Sequence, residues 1–171
     1  MSVNGQPECG LSAPAWRPSI VSSVIINVSR AQAHGWFLSL ADHPERYRFE
    51  THGGFAFTRG GIGEIGARFE TVETFYGVRL RLRFEVTRVT QDRFCFSLRA
   101  PLSAIFGSFS LTPEGTSQTE LQLAVGSPNR AKRLILSCPI IHGAIQHQIS
   151  RETAHIKEAM ETLYQEETWA S

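Results

Sequence analysis

The sequence predicts an α+β fold, in which a curved antiparallel β-sheet is wrapped around one long C-terminal helix, with two short helices after the first strand. Three observations predict it. Apolar residues alternate at period two in successive short segments from Phe49 to Val125. From Pro139 to about Gln165 the period changes to that of a helix. Most connections between the strand segments are too short for parallel crossovers, which need a dozen or more residues.

Taken in order, Ile20 to Val28 is β-branched and reads as a first strand. Ser29 with Gln32 three residues on forms a capping-box pattern that opens a short helix through about Leu40. Asp42 and Pro44 start another helical turn, proline being tolerated in a first turn. Phe55 and Phe57 alternate before a turn at Arg59-Gly60-Gly61, and Ala67 to Tyr76 forms the next strand. The clearest signal follows Gly77. Val78, Leu80, Leu82, Phe84 and Val86 alternate with Arg79, Arg81, Arg83, Glu85 and Thr87, which predicts a half-buried strand with a wet outer face. After a turn at Gln91-Asp92, Phe94, Phe96 and Leu98 continue the pattern. Two strands, Ser103 to Leu111 and Thr119 to Val125, flank a Pro113-Glu114-Gly115 turn. Arg130 to Ser137 reads as a separate short helix. The long helix then carries Ile141, Ile145, Ile149, Ile156, Met160 and Leu163 at spacings of three, four and seven, with Arg151, Lys157, Glu158 and Glu161 on the other side.

At 171 residues, 42% hydrophobic and 19% charged, the chain suits one globular domain, placed at 19–165 between a flexible tail at 1–18 and a short C-terminal tail at 166–171. The net charge of +1 predicts no global attraction to nucleic acid. Cys9, Cys95 and Cys138 are odd in number and lack a CxxC pair, which argues against a disulfide framework and a zinc site and fits a reducing, cytoplasmic compartment. The most apolar stretch, Leu134 to Ile145, is too short to span a bilayer. Neither a cofactor motif nor a metal-ligand spacing is present, so no cofactor and no metal are expected.

This order of elements resembles the helix-grip fold of the START/SRPBCC superfamily over about Ile20 to Tyr164. The local marks are SSVIINVSRAQAHGWFLSLADHPERY, GEIGARFE and HIKEAMETLY. They are structural, not catalytic. Two departures stand out: Pro128 to Pro139 is long and basic, and Tyr47 and Phe49 stand where the family typically has a tryptophan. The resemblance implies a cavity between sheet and helix for a lipid, polyketide or other small hydrophobic ligand.

Particular residues admit both a functional and a plainer role. Gly61, Gly63 and Gly66 spell GxGxxG, but a strand follows where a dinucleotide loop needs a helix, so a hairpin turn is expected. His142 shares a seven-residue step with Ile149, Ile156 and Leu163, making it either a polar tip in the ligand space or a satisfied histidine at a frayed helix start. His147 and His155 lie off that stripe and are expected in solvent. If Phe69 and Phe75 point inward, so do Thr71 and Glu73; a carboxylate among aromatics would have a raised pKa. The plainer role for Glu73 is a cross-strand ion pair with Arg79, Arg81 or Arg83. Arg130, Lys132 and Arg133 beside LILSCPII fit transient contact with an anionic membrane surface, or else a linker packed at the sheet edge.

Three functions follow. The first is binding, with or without transport, of a small hydrophobic or amphipathic molecule. Its wall would be Phe57, Phe69, Leu82, Phe84, Phe96 and Phe109 on the sheet, with Ile145, Ile149, Ile156 and Met160 on the helix. The second is a cyclase/dehydrase-like enzyme using His142, Glu73 and Tyr76 in general acid/base catalysis. The third is a membrane-associated or protein–protein adaptor exposing an apolar patch around Leu134 to Ile141.

Overall fold

The computed structural model describes residues 16–47, 49, 52–75 and 77–169, with side chains described for all of these except 52, 53, 75 and 166–169. The elements are β1 (Pro18–Ile26), α1 (Arg30–Ser39), a 3-10 turn (Pro44–Tyr47), β2 (His52–Arg59), β3 (Arg68–Phe75), β4 (Val78–Thr90), β5 (Arg93–Leu98), β6 (Phe106–Pro113), β7 (Thr119–Gly126), α2 (Arg130–Leu136) and α3 (Pro139–Trp169). The seven strands form one sheet in the order β1-β7-β6-β5-β4-β3-β2, with every pairing antiparallel. This is the predicted architecture, a curved sheet closed by a long helix.

Local chemistry accounts for the helix starts. Ser29 and Gln32 cap α1 reciprocally: the Ser29 hydroxyl accepts from the Gln32 N–H while the Gln32 side chain accepts from the Ser29 N–H. Asn129 caps α2 from one side only, its side chain accepting from the Lys132 N–H. Helix α1 turns Trp36 and Phe37 onto the sheet, where the Phe37 ring lies 4.9 Å from Phe109 and 5.0 Å from Phe94. That contact plugs one end of the concave face.

Helix α3 packs along β1, and polar residues fix it there. β1 is an edge strand, so half its backbone groups face outward with no neighbouring strand. Gln146 donates to the Val21 carbonyl, Lys157 Nζ donates to the Ile25 carbonyl at 2.7 Å, and Glu161 accepts from the Asn27 N–H at 2.7 Å. The hydroxyls of Ser22 and Thr153 meet at 2.9 Å. Lys157 and Glu161, expected on the solvent side of the helix, therefore seal the sheet edge. The apolar stripe of α3, with Ile149, Ile156 and Met160 fully covered, then faces the concave side of the sheet.

Several sequence expectations change. Trp16, placed in the flexible tail, is buried with Cys95 and Ala124 on the outer face of the sheet, and β1 begins at Pro18. Among the described residues, Cys138 is a free thiol. Helix α3 continues to Trp169. The alternation in β4 is only half buried: Phe84 and Val86 are covered, but Val78 and Leu80 are exposed because β4 runs past the end of β5. Among the described residues, no helix is long and apolar enough to cross a membrane.

Candidate functional site

The concave face is a continuous aromatic surface. Phe55, Phe57 and Phe69 on β2 and β3 touch one another with ring centroids 5.3 to 5.8 Å apart. Phe69 stacks on Phe84 at 4.8 Å, Phe84 meets Phe96 at 5.5 Å, and Phe96 meets Phe109 at 5.6 Å. Strand alternation creates this surface, since each ring occupies an inward position of its strand. Gly107 makes room for it: a Cβ there would lie 2.2 Å from the Phe96 ring. The ten residues expected as a ligand wall all fall in this one core. Phe69, Phe84, Phe96, Phe109, Ile149, Ile156 and Met160 are buried, and Phe57, Leu82 and Ile145 are half-buried.

A polar group interrupts the apolar surface where β3 faces α3. Thr71 and Glu73 follow Phe69 on the inward face of β3 and are buried. Glu73 Oε2 accepts a 2.7 Å hydrogen bond from Gln148 Nε2 on α3. One helical turn later Glu152 accepts from the Tyr47 hydroxyl. Burial pushes the Glu152 carboxyl up from its ordinary 4.5 to about 8, although the residue as a whole keeps some surface in solvent. Below that value the carboxyl is neutral and can donate a proton in a hydrogen bond. His155, three residues further on, lays its ring 5.1 Å from Phe49, which in turn lies 5.0 Å from Tyr47. Two buried polar atoms here, Thr71 Oγ1 and His155 Nδ1, have no hydrogen-bond partner among the described residues. Buried polar atoms are normally paired, so these two are open to a partner from outside the fold.

Of the three residues expected to do acid/base chemistry, Glu73 is in this group. His142 is not: it is half-buried near the start of α3, with its N–H on the Cys138 carbonyl, about 9 Å of helix rise before Gln148. Tyr76 lies outside the described residues. The ion pair offered as the plainer role for Glu73 belongs to Glu70, on the opposite strand face, which meets Arg83 at 2.9 Å and Arg81 at 3.7 Å. His155, expected in solvent, has its Nδ1 buried. The reading of the sequence missed Glu152, Gln148 and Tyr47. A signal for Glu152 was present: it stands three residues after Ile149 and four before Ile156, a carboxylate inside the apolar stripe. The GxGxxG segment forms the loop between β2 and β3, as expected of a hairpin connection. Among the described residues, no group of three or more His, Cys, Asp and Glu is placed to hold a metal ion.

No protein-family model matches the chain, and no curated sequence matches it either. Solved structures do. The chain is similar to a START superfamily protein from Mycobacterium smegmatis, with a TM-score of 0.58, 13% identity, and coverage of 86% of this chain and 97% of that one. It is also similar to the Zhui aromatase/cyclase from a Streptomyces species, with a TM-score of 0.61, 7% identity, and coverage of 83% and 92%. A third is a point mutant of norcoclaurine synthase from Thalictrum flavum in complex with a transition-state analogue, with a TM-score of 0.61, 11% identity, and coverage of 87% and 94%. The chain therefore shares the helix-grip fold of these structures, as its order of elements suggests. At these identities the likeness carries the fold alone.

Proposed function

We propose that the protein binds a small amphipathic molecule between α3 and the concave face of the sheet. The aromatic or otherwise apolar body would lie against Phe55, Phe69, Phe84 and Phe96, and its polar end would meet Glu73, Gln148, Glu152 and Tyr47. The observation that supports this reading best is two carboxyl groups held against an aromatic surface, beside a buried hydroxyl with no partner. Burying a carboxylate costs stability, and replacing such groups by apolar side chains is often neutral or favourable. Their presence is explained by a ligand that needs them. The similar structures named above include an aromatase/cyclase and a norcoclaurine synthase.

The test is displacement of the fluorescent probe 1-anilinonaphthalene-8-sulfonate by 2-naphthol and by naphthalene, which differ in one hydroxyl. A hydrogen bond to a charged group is worth about 1.5 to 3 kcal/mol, so 2-naphthol should compete about 10- to 100-fold better. Glu73→Gln should shrink that gap while circular dichroism shows the fold intact. Equal competition by the two compounds, or an unchanged gap in Glu73→Gln, would refute the proposed polar end.

A second reading is favoured by one observation, the Glu152 carboxyl pushed up to about 8. An acid with that value retains its proton at neutral pH and can pass it to a developing oxyanion on a bound carbonyl compound, with Glu73 as the complementary base. Two carboxyls in different environments are a recurring acid/base pair. Turnover of an aromatic polyketide-like substrate, abolished in Glu152→Gln with binding retained, would support this over simple binding. Binding without turnover would exclude it for that substrate.

A further inference from the structure

We propose that the end of the molecule formed by the start of β4, the loop from β5 to β6 and the α2–α3 corner docks on an anionic lipid surface. Two hydrogen bonds tie these segments together: Arg99 N–H donates to the Arg83 carbonyl, and the Ser127 hydroxyl donates to the Ala104 carbonyl. Segments 77–83, 99–105 and 128–147 hold seven of the chain's 17 Lys and Arg residues and none of its 16 Asp and Glu residues. The overall charge is only +1, so this end is strongly cationic and the remainder of the chain is acidic. Arg81 and Arg83 are partnered by Glu70, and Arg99 by Glu85. Among the described residues no carboxylate pairs with Arg79, Arg130, Lys132 or Arg133, so their charge is available to a partner.

Several large apolar side chains also face water at this end. Leu134 is 75% exposed, Ile140 70%, Val78 59% and Ile135 55%. Aliphatic side chains ringed by Lys and Arg suit the boundary between headgroups and acyl chains, where the apolar groups insert and the cations meet lipid phosphates. An acidic protein surface would satisfy the charge alone, leaving four aliphatic side chains to be matched by a complementary apolar patch. A bilayer supplies both without a specific shape. The inference stands apart from the ligand site: it uses none of Glu73, Gln148, Glu152 or Tyr47.

Co-sedimentation of the full chain tests it, using vesicles of phosphatidylcholine alone and vesicles containing 30% phosphatidylserine. Binding is expected only to the anionic vesicles and should weaken as salt rises. Each cation near an anionic leaflet is worth roughly fivefold in partitioning, so the double variant Lys132→Gln with Arg133→Gln should bind about 30-fold more weakly. Ile140→Ser with Leu134→Ser should also weaken it, while Arg59→Gln, at the far end of β2, should not. Both serine positions are exposed, so folding should survive, and circular dichroism checks this. Equal recovery with the two vesicle types, or binding unmoved by either double variant, would overturn the proposal. A dimer in solution that Ile140→Ser dissociates, without vesicle binding, would assign the face to a second copy of the chain. Retention of a polyglutamate peptide with no vesicle binding would assign it to an acidic polypeptide. Either result overturns lipid docking while leaving ligand binding at the aromatic face untouched.

Discussion

Glu152 makes the stability of this protein depend on pH in an unusual direction. A carboxyl whose native pKa is raised from 4.5 to about 8 holds its proton in the folded state over a range where the unfolded chain has lost it. Between those values the native state binds more protons, so stability falls as pH rises. At about 1.4 kcal/mol per pH unit, the interval from 4.5 to about 8 amounts to a loss of about 5 kcal/mol at most. The contribution is fully present below pH 4.5 and gone above about 8. Glu152→Gln keeps an acceptor for the Tyr47 hydroxyl but cannot ionise. The two proteins should therefore be nearly equal in stability at pH 4.5 and diverge with rising pH, the variant becoming more stable by several kcal/mol at pH 8. Urea unfolding followed by tryptophan fluorescence measures this, since Trp16 and Trp36 are both buried. Comparing the two proteins at each pH cancels the contributions of the ionisable groups they share. Parallel stability curves for the two proteins across pH 5 to 8 would refute the argument that burial controls this carboxyl.

Two other substitutions probe the elements that build the aromatic face. Gly107→Ala places a methyl 2.2 Å from the Phe96 ring, which must leave its position, and overpacking of this kind costs about 1 to 3 kcal/mol. The expected readouts are a lower thermal midpoint and weaker probe binding together, whereas an unchanged midpoint would mean the ring relocates freely. Ser29→Ala removes half of the reciprocal cap on α1 and should cost about 1 kcal/mol in urea unfolding, with probe binding unaffected because α1 plugs the far end of the face.

Much of this site was legible in the chain, and the parts that were not share a cause. The inward direction of Glu73 follows from Phe69 and the period of a strand, because backbone geometry alone fixes which residues share a face. The strand period does not decide whether that carboxylate is buried or reaches a neighbouring arginine. The register settled it by placing Glu70, not Glu73, opposite Arg83, and by placing Leu80 opposite Glu73. Glu152 is not marked by the apolar spacing along α3, which it only interrupts. Its meeting with Tyr47 joins residues 105 apart in sequence and depends on how the helix is rotated on the sheet. That rotation is set by Gln146, Thr153, Lys157 and Glu161 binding the open edge of β1, contacts that no local pattern announces.

The sequence by itself determined the elements, their order and which side of each strand is apolar, since these depend on spacings within a few residues. It also determined the acid-free, basic character of 128–147. The tertiary structure alone decided that β4 outruns β5 and leaves Val78 and Leu80 in water. It alone brought Glu73, Gln148, Glu152 and Tyr47 to one corner of the aromatic face. The physical reason is the same in each case. Local propensity specifies which face of an element seeks cover, but which residues provide that cover is fixed only when distant segments pack together.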